Sequence, residues 1–373
     1  MTLIFAEIAL AGFLFVHLAT AALTILRLRR PAVSPGQSAL SEPVGVIVPV
    51  AGLDAREAKI ATTALRLVNP DVEIVFCAFD ESEPAVAVVR AALEQHPDAN
   101  ARLLIGREHT TRNPKLDNIE KGYAAISADL AVSVDGNIDV PADLIGRLMS
   151  VHDARTGVSS AVPIGTQPET FAADVECAAL NTFYARWQFC ADELGDGKAN
   201  GKVFMVRRSL LERAGGVDKL GSDTAEDASA TKIANGFGLK TRLITSPVAW
   251  PIGARSLAEV WSRYLRWAQL RKQSYPALYV LESLITPAPA MVLAAGIAYA
   301  HDLSPFSVMM LLLVIWYGVE AALAHAVGWP WTWRFFPACL VRDAMMVTIW
   351  PIAMVKRTYL WRGRIIDTSP DTD

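Results

Sequence analysis

The chain has 373 residues, of which 52% are hydrophobic and 20% are charged, and its formal net charge is -3. Its mean hydropathy is +0.28 and its pI is near 6.1. These values exclude disordered, collagen-like and strongly charged proteins, and they exclude nucleic acid as the default partner. The four cysteines, Cys77, Cys177, Cys190 and Cys339, form no CxxC pair, so neither a disulfide framework nor a zinc site is predicted.

The N-terminal residues 1–28 are predicted to form a transmembrane anchor. The apolar run Leu3 to Leu26 is long enough to cross a hydrocarbon core of about 30 Å as a helix. Three arginines follow the run, at Arg27, Arg29 and Arg30. Basic residues after the run argue against a cleaved signal peptide, and they predict that the following segment is cytoplasmic. Residues 29–42, rich in Pro, Ser and Gly, are predicted to be a linker.

Residues 43–256 alternate short apolar runs with helical patterns. The predicted strands are Val44 to Val50, Glu73 to Phe79 and Leu130 to Val134, and the predicted helices are Ala58 to Val68, Ala85 to Gln95 and Lys115 to Ile126. This βαβαβ order predicts an α/β domain with a mostly parallel sheet. Ligands of such sheets bind beyond the carboxyl ends of the strands.

Two carboxylates stand at predicted strand ends. Asp80 follows the second predicted strand and Asp135 follows the third. The chain has neither a GxGxxG fingerprint at these positions nor a GxxxxGK[ST] loop, which argues against dinucleotide-binding oxidoreductases and P-loop NTPases. Carboxylates at strand ends suit a divalent cation that bridges to a nucleotide diphosphate.

The C-terminal third returns to apolar sequence. Residues 257–275 are predicted to be an amphipathic helix at the membrane surface. Residues 277–355 are predicted to hold transmembrane or interfacial helices, with apolar runs at Ala277 to Ala300, Pro305 to Val327 and Phe335 to Val355. The last run carries Arg342 and Asp343, so it is either a span with paired charges or an interfacial helix. Three or four spans are predicted in all, followed by a basic cytoplasmic tail at residues 356–373.

Several short motifs occur in a fixed order along the chain. They are Asn113-Pro114-Lys115, Gly122-Tyr123, Asp135-Gly136, the segment Gly201 to Gly216, Glu226-Asp227, the RYLRW segment from Arg263 to Trp267, and Trp361-Arg362-Gly363. In this order they resemble the motifs of the ceramide glucosyltransferases, which are membrane-bound inverting sugar transferases with a GT-A catalytic domain. The resemblance implies a GT-A nucleotide-sugar-binding domain between N-terminal and C-terminal transmembrane helices.

The resemblance also implies residues that bind the donor. The nucleotide-sugar contacts would be Asp80, Lys115, Asp135, Arg263, Arg266 and Trp267. Asp135 would bind Mg²⁺ or Mn²⁺, and because Asn137 replaces the second carboxylate of a DxD motif, water and phosphate would supply the remaining ligands. Read without the family, Asp80 could instead cap the helix after Pro84.

Asp227 is the implied general base, because an inverting transfer needs one carboxylate to take the proton of the attacking hydroxyl. The alternative is that Glu226 and Asp227 only supply negative charge at the start of a helix. Contacts to the sugar or the acceptor are assigned to Asn200, Lys202, Glu226 and Trp267. The arginines of residues 257–275 could equally lie in the lipid headgroup region.

The resemblance implies an enzyme that transfers a hexose, with UDP-glucose favoured as donor, to the primary hydroxyl of ceramide. Diacylglycerol or a hopanoid is the alternative acceptor, and a nucleotide-binding membrane sensor is the alternative of another class. A bacterial inner membrane with a cytoplasmic catalytic domain is the predicted location, with the Golgi as the alternative. The oligomeric state is left open.

Overall fold

The computed structural model describes residues 2–30, 42–106, 113–356, 358–361 and 364–367. Residues 31–41 of the predicted linker lie outside the described residues, and so do Arg362 and Gly363 of the predicted C-terminal motif. The strands are β1 (Val44–Pro49), β2 (Val72–Ala78), β3 (Ala101–Ile105), β4 (Leu130–Val134), β5 (Thr156–Ser160), β6 (Pro163–Pro168), β7 (Val203–Arg207), β8 (Lys240–Leu243), β9 (Val248–Gly253), β10 (Thr358–Trp361) and β11 (Arg364–Asp367).

Fourteen α-helices occur in the described residues. They are α1 (Thr2–Leu28), α2 (Ala55–Ala61), α3 (Pro84–Glu94), α4 (Pro114–Ala125), α5 (Leu144–Ser150), α6 (Phe171–Ala178), α7 (Arg186–Glu193), α8 (Arg208–Arg213), α9 (Glu226–Gly236), α10 (Leu257–Ser274), α11 (Pro276–Leu284), α12 (Pro287–Ala300), α13 (Pro305–Ala326) and α14 (Phe335–Val355). Short 3-10 turns cover Thr62–Leu67 and Val217–Gly221, and a π-helical turn covers Ala179–Ala185.

The chain divides into two compact units. One consists of Met1–Arg29, Gly165–Cys190 and Ile252–Asp373, and the other of Arg30–Ile164 and Ala191–Pro251. We call the first the helical unit and the second the sheet unit. The segment Gly165–Cys190 belongs to the helical unit. The sequence had instead predicted one continuous domain, residues 43–256, that includes these residues.

The sheet unit is built on a seven-stranded sheet with the order β3-β2-β1-β4-β7-β5-β8. Four strand pairs are parallel, and only β7 runs antiparallel to its neighbours β4 and β5. Strands β1, β2 and β4 are buried along their whole length, as continuous apolar strands covered on both faces should be. The predicted α/β class with a mostly parallel sheet is confirmed.

Each predicted strand and helix of the sheet unit matches an observed element within about three residues, but one predicted helix is divided, and β3, β5 and β8 were not predicted. The predicted helix Ala58 to Val68 divides into α2 and the 3-10 turn Thr62–Leu67. Strand β3 was not predicted, and it lies at the edge of the sheet where its residues are only partly buried. An edge strand carries a weaker apolar signal than a central one because one side of it has no neighbour.

The antiparallel pairing of β4 with β7 determines which residues meet at one edge of the sheet. Val134, the last residue of β4, pairs with Val203, the first residue of β7. Directly beyond that pair, the backbone N–H of Asp135 donates to the carbonyl of Lys202 at 2.8 Å. The residues that precede β7 therefore lie beside the residues that follow β4.

Three described helices of the helical unit are long and apolar enough to cross a membrane, namely Leu3–Leu28, Pro305–Ala326 and Phe335–Val355. A fourth span is possible if Pro276–Glu282 and Pro287–Ala300, which are bent by 44°, act together. The predicted run Ala277 to Ala300 is thus interrupted, because Pro287 starts a new helix and cannot donate a backbone hydrogen bond to continue the old one.

The charged residues buried in α13 and α14 are paired. Arg342 Nη1 lies 2.6 Å from Glu320 Oε2, and its Nη2 lies 2.8 Å from Asp343 Oδ2. The side chains of Arg342 and Glu320 are each only 1% exposed. In α1, the ring of His17 stacks on Trp316 of α13 with centroids 3.8 Å apart. The charges in the predicted third apolar run are therefore satisfied within the helical unit.

Candidate active site

Asp135 stands at the carboxyl end of β4, where the chain turns sharply. Gly136 allows the backbone to pack closely here, because a Cβ there would collide with the side chain of Leu53 and lie 3.1 Å from the carbonyl of Pro49. The carboxylate of Asp135 is 19% exposed. The Asp-Gly pair thus brings a carboxylate to the strand end while the backbone packs tightly against the end of β1.

Two lysines hold the carboxylate of Asp135. Lys115 Nζ lies 2.8 Å from Oδ1, and Lys202 Nζ lies 2.7 Å from Oδ2. Lys202 Nζ also donates to Asn137 Oδ1 at 2.9 Å and sits 4.0 Å from the ring centroid of Trp250. Burial raises the pKa of Asp135, but the two ammonium groups outweigh it and hold that pKa well below its usual range.

Lys115 is directed to this place by the start of α4. Asn113 caps the helix by accepting from the backbone N–H of Lys115 at 3.0 Å. Besides Asp135, Lys115 Nζ donates to Glu226 Oε1 at 2.5 Å and to the carbonyl of Gly201 at 2.6 Å. These contacts use all three N–H donors of the ammonium. Burial lowers the pKa of Lys115, but its carboxylate partners raise it above the ordinary value.

Glu226 begins α9 and is almost fully buried. Its Oε1 accepts from Lys115, and its Oε2 accepts from Asn113 Nδ2 at 2.8 Å. Both oxygens of Glu226 are therefore engaged by α4. This arrangement ties the start of α9 to the start of α4, whereas the sequence had assigned Glu226 to a sugar or acceptor contact, which stays a prediction.

Asp227 is the second residue of α9. Its Oδ2 accepts from the backbone N–H of Gly201 at 2.6 Å, and its Oδ1 accepts from that of Ala228 at 2.9 Å. Burial and then the charge of Glu226 raise the pKa of Asp227 to about 7. A carboxyl group with this pKa can accept a proton near neutral pH, as a general base must.

Gly201 closes the cluster on the side of β7. A Cβ at this position would lie 3.2 Å from Glu226 Oε1 and 3.3 Å from Asp227 Oδ2. Any larger side chain would therefore crowd the two carboxylates and disturb the N–H that binds Asp227. The neighbouring Asn200 accepts from the backbone N–H of Lys202 at 3.0 Å, so it shapes the turn before β7.

Asp80 lies at the end of β2 and is exposed. Its Oδ1 accepts from the backbone N–H of Ser82 at 2.8 Å and from the Ser82 hydroxyl at 2.6 Å. These hydrogen bonds hold the pKa of Asp80 below its usual value. The side chain thus shapes the turn before α3, and its predicted contact with the donor stays a prediction.

The remaining predicted residues belong to α10 of the helical unit. Arg263 forms an ion pair with the fully buried Glu176, and the hydroxyl of Tyr264 donates to the carbonyl of Glu176 at 3.1 Å. Trp267 packs edge-on against Tyr264 with centroids 5.3 Å apart, and Arg266 is half-buried. The helix is therefore anchored by Glu176 on α6, and the roles of Arg263, Arg266 and Trp267 toward a donor stay predictions.

The predicted Mg²⁺ or Mn²⁺ can be tested against the donor atoms of the site. Among the residues that the structure describes, no group of three or more His, Cys, Asp and Glu side chains could hold a metal ion. Asp135 shares its two oxygens with two ammonium groups, and Asp139 is paired with Arg66 at 2.6 Å. In this arrangement the residues do not fit a site for a divalent cation, and the predicted metal-ligand role of Asp135 stays a prediction.

Three residues with clear contacts were missing from the predicted site. Asn113 caps α4 and binds Glu226, Trp250 lies against Lys202, and Glu176 binds Arg263. Asn113 could have been selected as an Asn-Pro helix start. Trp250 and Glu176 gave no such signal, because each meets its partner only through the tertiary fold.

The mostly parallel sheet with helices on its faces is the fold of a GT-A glycosyltransferase. A solved mannosyltransferase from Pyrobaculum calidifontis, in complex with GDP-Man and Mn²⁺, is similar in fold with a TM-score of 0.56. That likeness covers 94% of this chain and 99% of the other at 19% identity. The chain belongs to glycosyl transferase family 21, whose sequence model matches residues 9–373.

Two relatives from Caenorhabditis elegans extend the comparison. The chain is 27% identical to ceramide glucosyltransferase 1 over 285 residues, which cover 75% of this chain and 61% of that protein. It is 22% identical to ceramide glucosyltransferase 3 over 333 residues, which cover 86% and 72% of the two chains. The match to the first relative thus leaves more than a third of that protein's length uncovered.

Proposed function

We propose that this chain transfers a hexose from a UDP-sugar, with UDP-glucose favoured, to the primary hydroxyl of ceramide with inversion at the anomeric carbon. Family membership and the similarity to two ceramide glucosyltransferases support the reaction class and the acceptor. The observation that carries the proposal is the pair Asp135 and Asp227, which reach one cluster from β4 and α9 through Lys115 and Gly201.

The chemistry is a single displacement. The acceptor oxygen attacks the anomeric carbon while the bond from that carbon to the UDP oxygen breaks, and the electron pair of that bond leaves with UDP. The acceptor proton passes to Asp227, whose pKa of about 7 leaves a substantial fraction ionised at neutral pH. The backbone N–H groups of Gly201 and Ala228 orient the carboxylate. An α-linked donor then yields a β-linked product.

A lipid acceptor agrees with the apolar helices of the helical unit. Moving lipid chains out of a bilayer costs about 0.8 kcal/mol for each CH₂ group that loses its apolar surroundings. An enzyme that acts on such a lipid is therefore expected to be anchored at the membrane surface. The three candidate spans and the amphipathic α10 would do this. With Arg27 in the last turn of α1 and Arg29 and Arg30 directly after it, we place the catalytic domain on the cytoplasmic face of a bacterial inner membrane, with the Golgi membrane as the alternative.

The test uses the purified full chain in detergent with UDP-glucose and ceramide. We expect a monohexosylceramide by mass spectrometry and a β-anomeric proton by NMR. Parallel reactions with diacylglycerol and a hopanoid, and with UDP-galactose, identify the preferred acceptor and donor. An α-anomeric product would contradict inversion. UDP-glucose binding without transfer to any of the three lipids would favour the nucleotide-binding sensor.

A further inference from the structure

We propose that the ammonium group of Lys202 supplies the positive charge beside Asp135 that stabilises the departing diphosphate, in the place that a divalent cation has in metal-dependent GT-A transferases. This inference rests on the proposed function and concerns the same site. It starts from the finding that the donor atoms around Asp135 do not fit a cation site, because lysines already occupy both oxygens of the carboxylate.

Lys202 is held firmly in this position. Its Nζ contacts Asp135 Oδ2 at 2.7 Å and Asn137 Oδ1 at 2.9 Å, and the face of Trp250 lies 4.0 Å away. The side chain is only 15% exposed. An ammonium group fixed in this way loses little conformational entropy when it meets an anion, because its rotamer is already selected.

Lys202 and Lys115 differ in the elements that they join. Lys115 connects Asp135 after β4 to Glu226 on α9 and to the carbonyl of Gly201, so it serves as a link between elements. Lys202 is bound by two side-chain oxygens on the loop after β4, and Asn137 stands at the second position of the expected DxD motif. The residue that should complete a metal site is therefore an amide that holds an ammonium group.

Electrostatics favours the same assignment. A divalent cation on Asp135 would lie within a few ångströms of two ammonium groups, and like charges at such distances repel strongly in a partly buried site. A diphosphate, in contrast, gains a charge-assisted hydrogen bond from Lys202. The step needs no further reagent: UDP leaves with the electron pair of the broken bond, Lys202 stays protonated, and the acceptor proton goes to Asp227.

The experiment measures UDP binding to the purified full chain by isothermal titration calorimetry, once in EDTA and once in Mn²⁺. Proton relaxation of water reports Mn²⁺ binding to the protein without UDP. The variants are Lys202→Met, which removes the charge, and Lys202→Arg, which keeps it. The matched control is Lys240→Met, which removes an exposed lysine at the start of β8.

We expect the wild-type chain to bind UDP in EDTA, with an affinity that Mn²⁺ changes less than about threefold. Lys202→Met should weaken UDP binding in EDTA at least about tenfold and gain Mn²⁺ binding, because Asp135 Oδ2 is released. Lys202→Arg and Lys240→Met should bind UDP in EDTA nearly as the wild type does.

Binding of UDP by the wild type in Mn²⁺ but not in EDTA would overturn the inference and leave the proposed function standing. Equal UDP binding by Lys202→Met and wild type in EDTA would also overturn it. If UDP bound in neither condition, the inference and the proposed function would both fail. Should Lys202→Met not fold, the comparison of the wild type in EDTA and in Mn²⁺ decides the question alone.

Discussion

Lys202 and Asp135 form an ion pair of 2.7 Å although 67 residues separate them in the chain. The pair exists because β7 runs antiparallel to β4 and begins where β4 ends. The same geometry brings Gly201 to Asp227, since Gly201 directly precedes Lys202. The two residues that directly precede β7 thus provide both the charge beside Asp135 and the N–H that orients the proposed base.

Replacing Asp227, the proposed base, should reduce the transfer activity while the protein still folds. We expect Asp227→Asn to lower the rate of transfer by about 10²- to 10⁴-fold, the usual contribution of a general base.

The same substitution should change how stability depends on pH. Because the folded-state pKa of Asp227, about 7, lies above the ordinary value, the stability that protonated Asp227 adds at low pH is lost as the pH rises through about 7. Asp227→Asn should therefore raise the melting temperature more at pH 8 than at pH 5. The control is Asp218→Asn, at an exposed residue. Full activity of Asp227→Asn would exclude this base.

The pH profile should report the same carboxyl group. Since the base must be ionised, kcat/KM should rise with pH to a plateau with a midpoint near 7. The charge of Glu226 contributes to the raised pKa, so Glu226→Gln should move the midpoint to lower pH. Exposed Glu212→Gln on α8 is the control and should leave the midpoint in place. A shift toward higher pH in Glu226→Gln would contradict the assigned electrostatics.

Lys115 should contribute more to stability than an exposed lysine does. Its side chain is 18% exposed and bridges Asp135 and Glu226. Lys115→Met leaves two carboxylates without this partner, which should destabilise the sheet unit by roughly 3 kcal/mol. A thermal-shift measurement on the full chain should show a loss of several degrees, against almost none for Lys240→Met. Equal melting temperatures for the two variants would mean that the bridge is not a structural element.

The buried arginine of α14 should be needed for folding of the helical unit. Arg342→Met leaves Glu320 and Asp343 buried without their cation, at a cost of roughly 3 kcal/mol or more. Size-exclusion chromatography of detergent extracts should show a much smaller monodisperse peak. Thr348→Val, at an exposed position of the same helix, should keep the wild-type peak. An unchanged peak for Arg342→Met would show that the network is dispensable.

Strong local patterns made much of the fold predictable. Strand β4 was predicted with its observed bounds, Leu130–Val134, because a fully buried strand is a continuous apolar run between polar turns. Helix α10 was predicted within one residue at its C-terminal end, because its apolar residues recur at helical spacing, and the structure adds a capping box of Ser256 and Glu259 at its start. The sequence also singled out Asp135, Lys115, Lys202 and Asp227 as candidate site residues.

Local sequence determined the buried strands β1, β2 and β4, the helices that are apolar enough to cross a membrane, and the carboxylates that stand at element ends. Only the tertiary structure decided that Lys202 binds Asp135, that Lys115 links Asp135 to Glu226, and that Glu176 holds Arg263. The physical reason is that propensity and periodicity act over a few residues, whereas an ion pair depends on strand order and direction. The direction of β7 brings Lys202 to Asp135, and the start of α4 brings Lys115 to the same carboxylate.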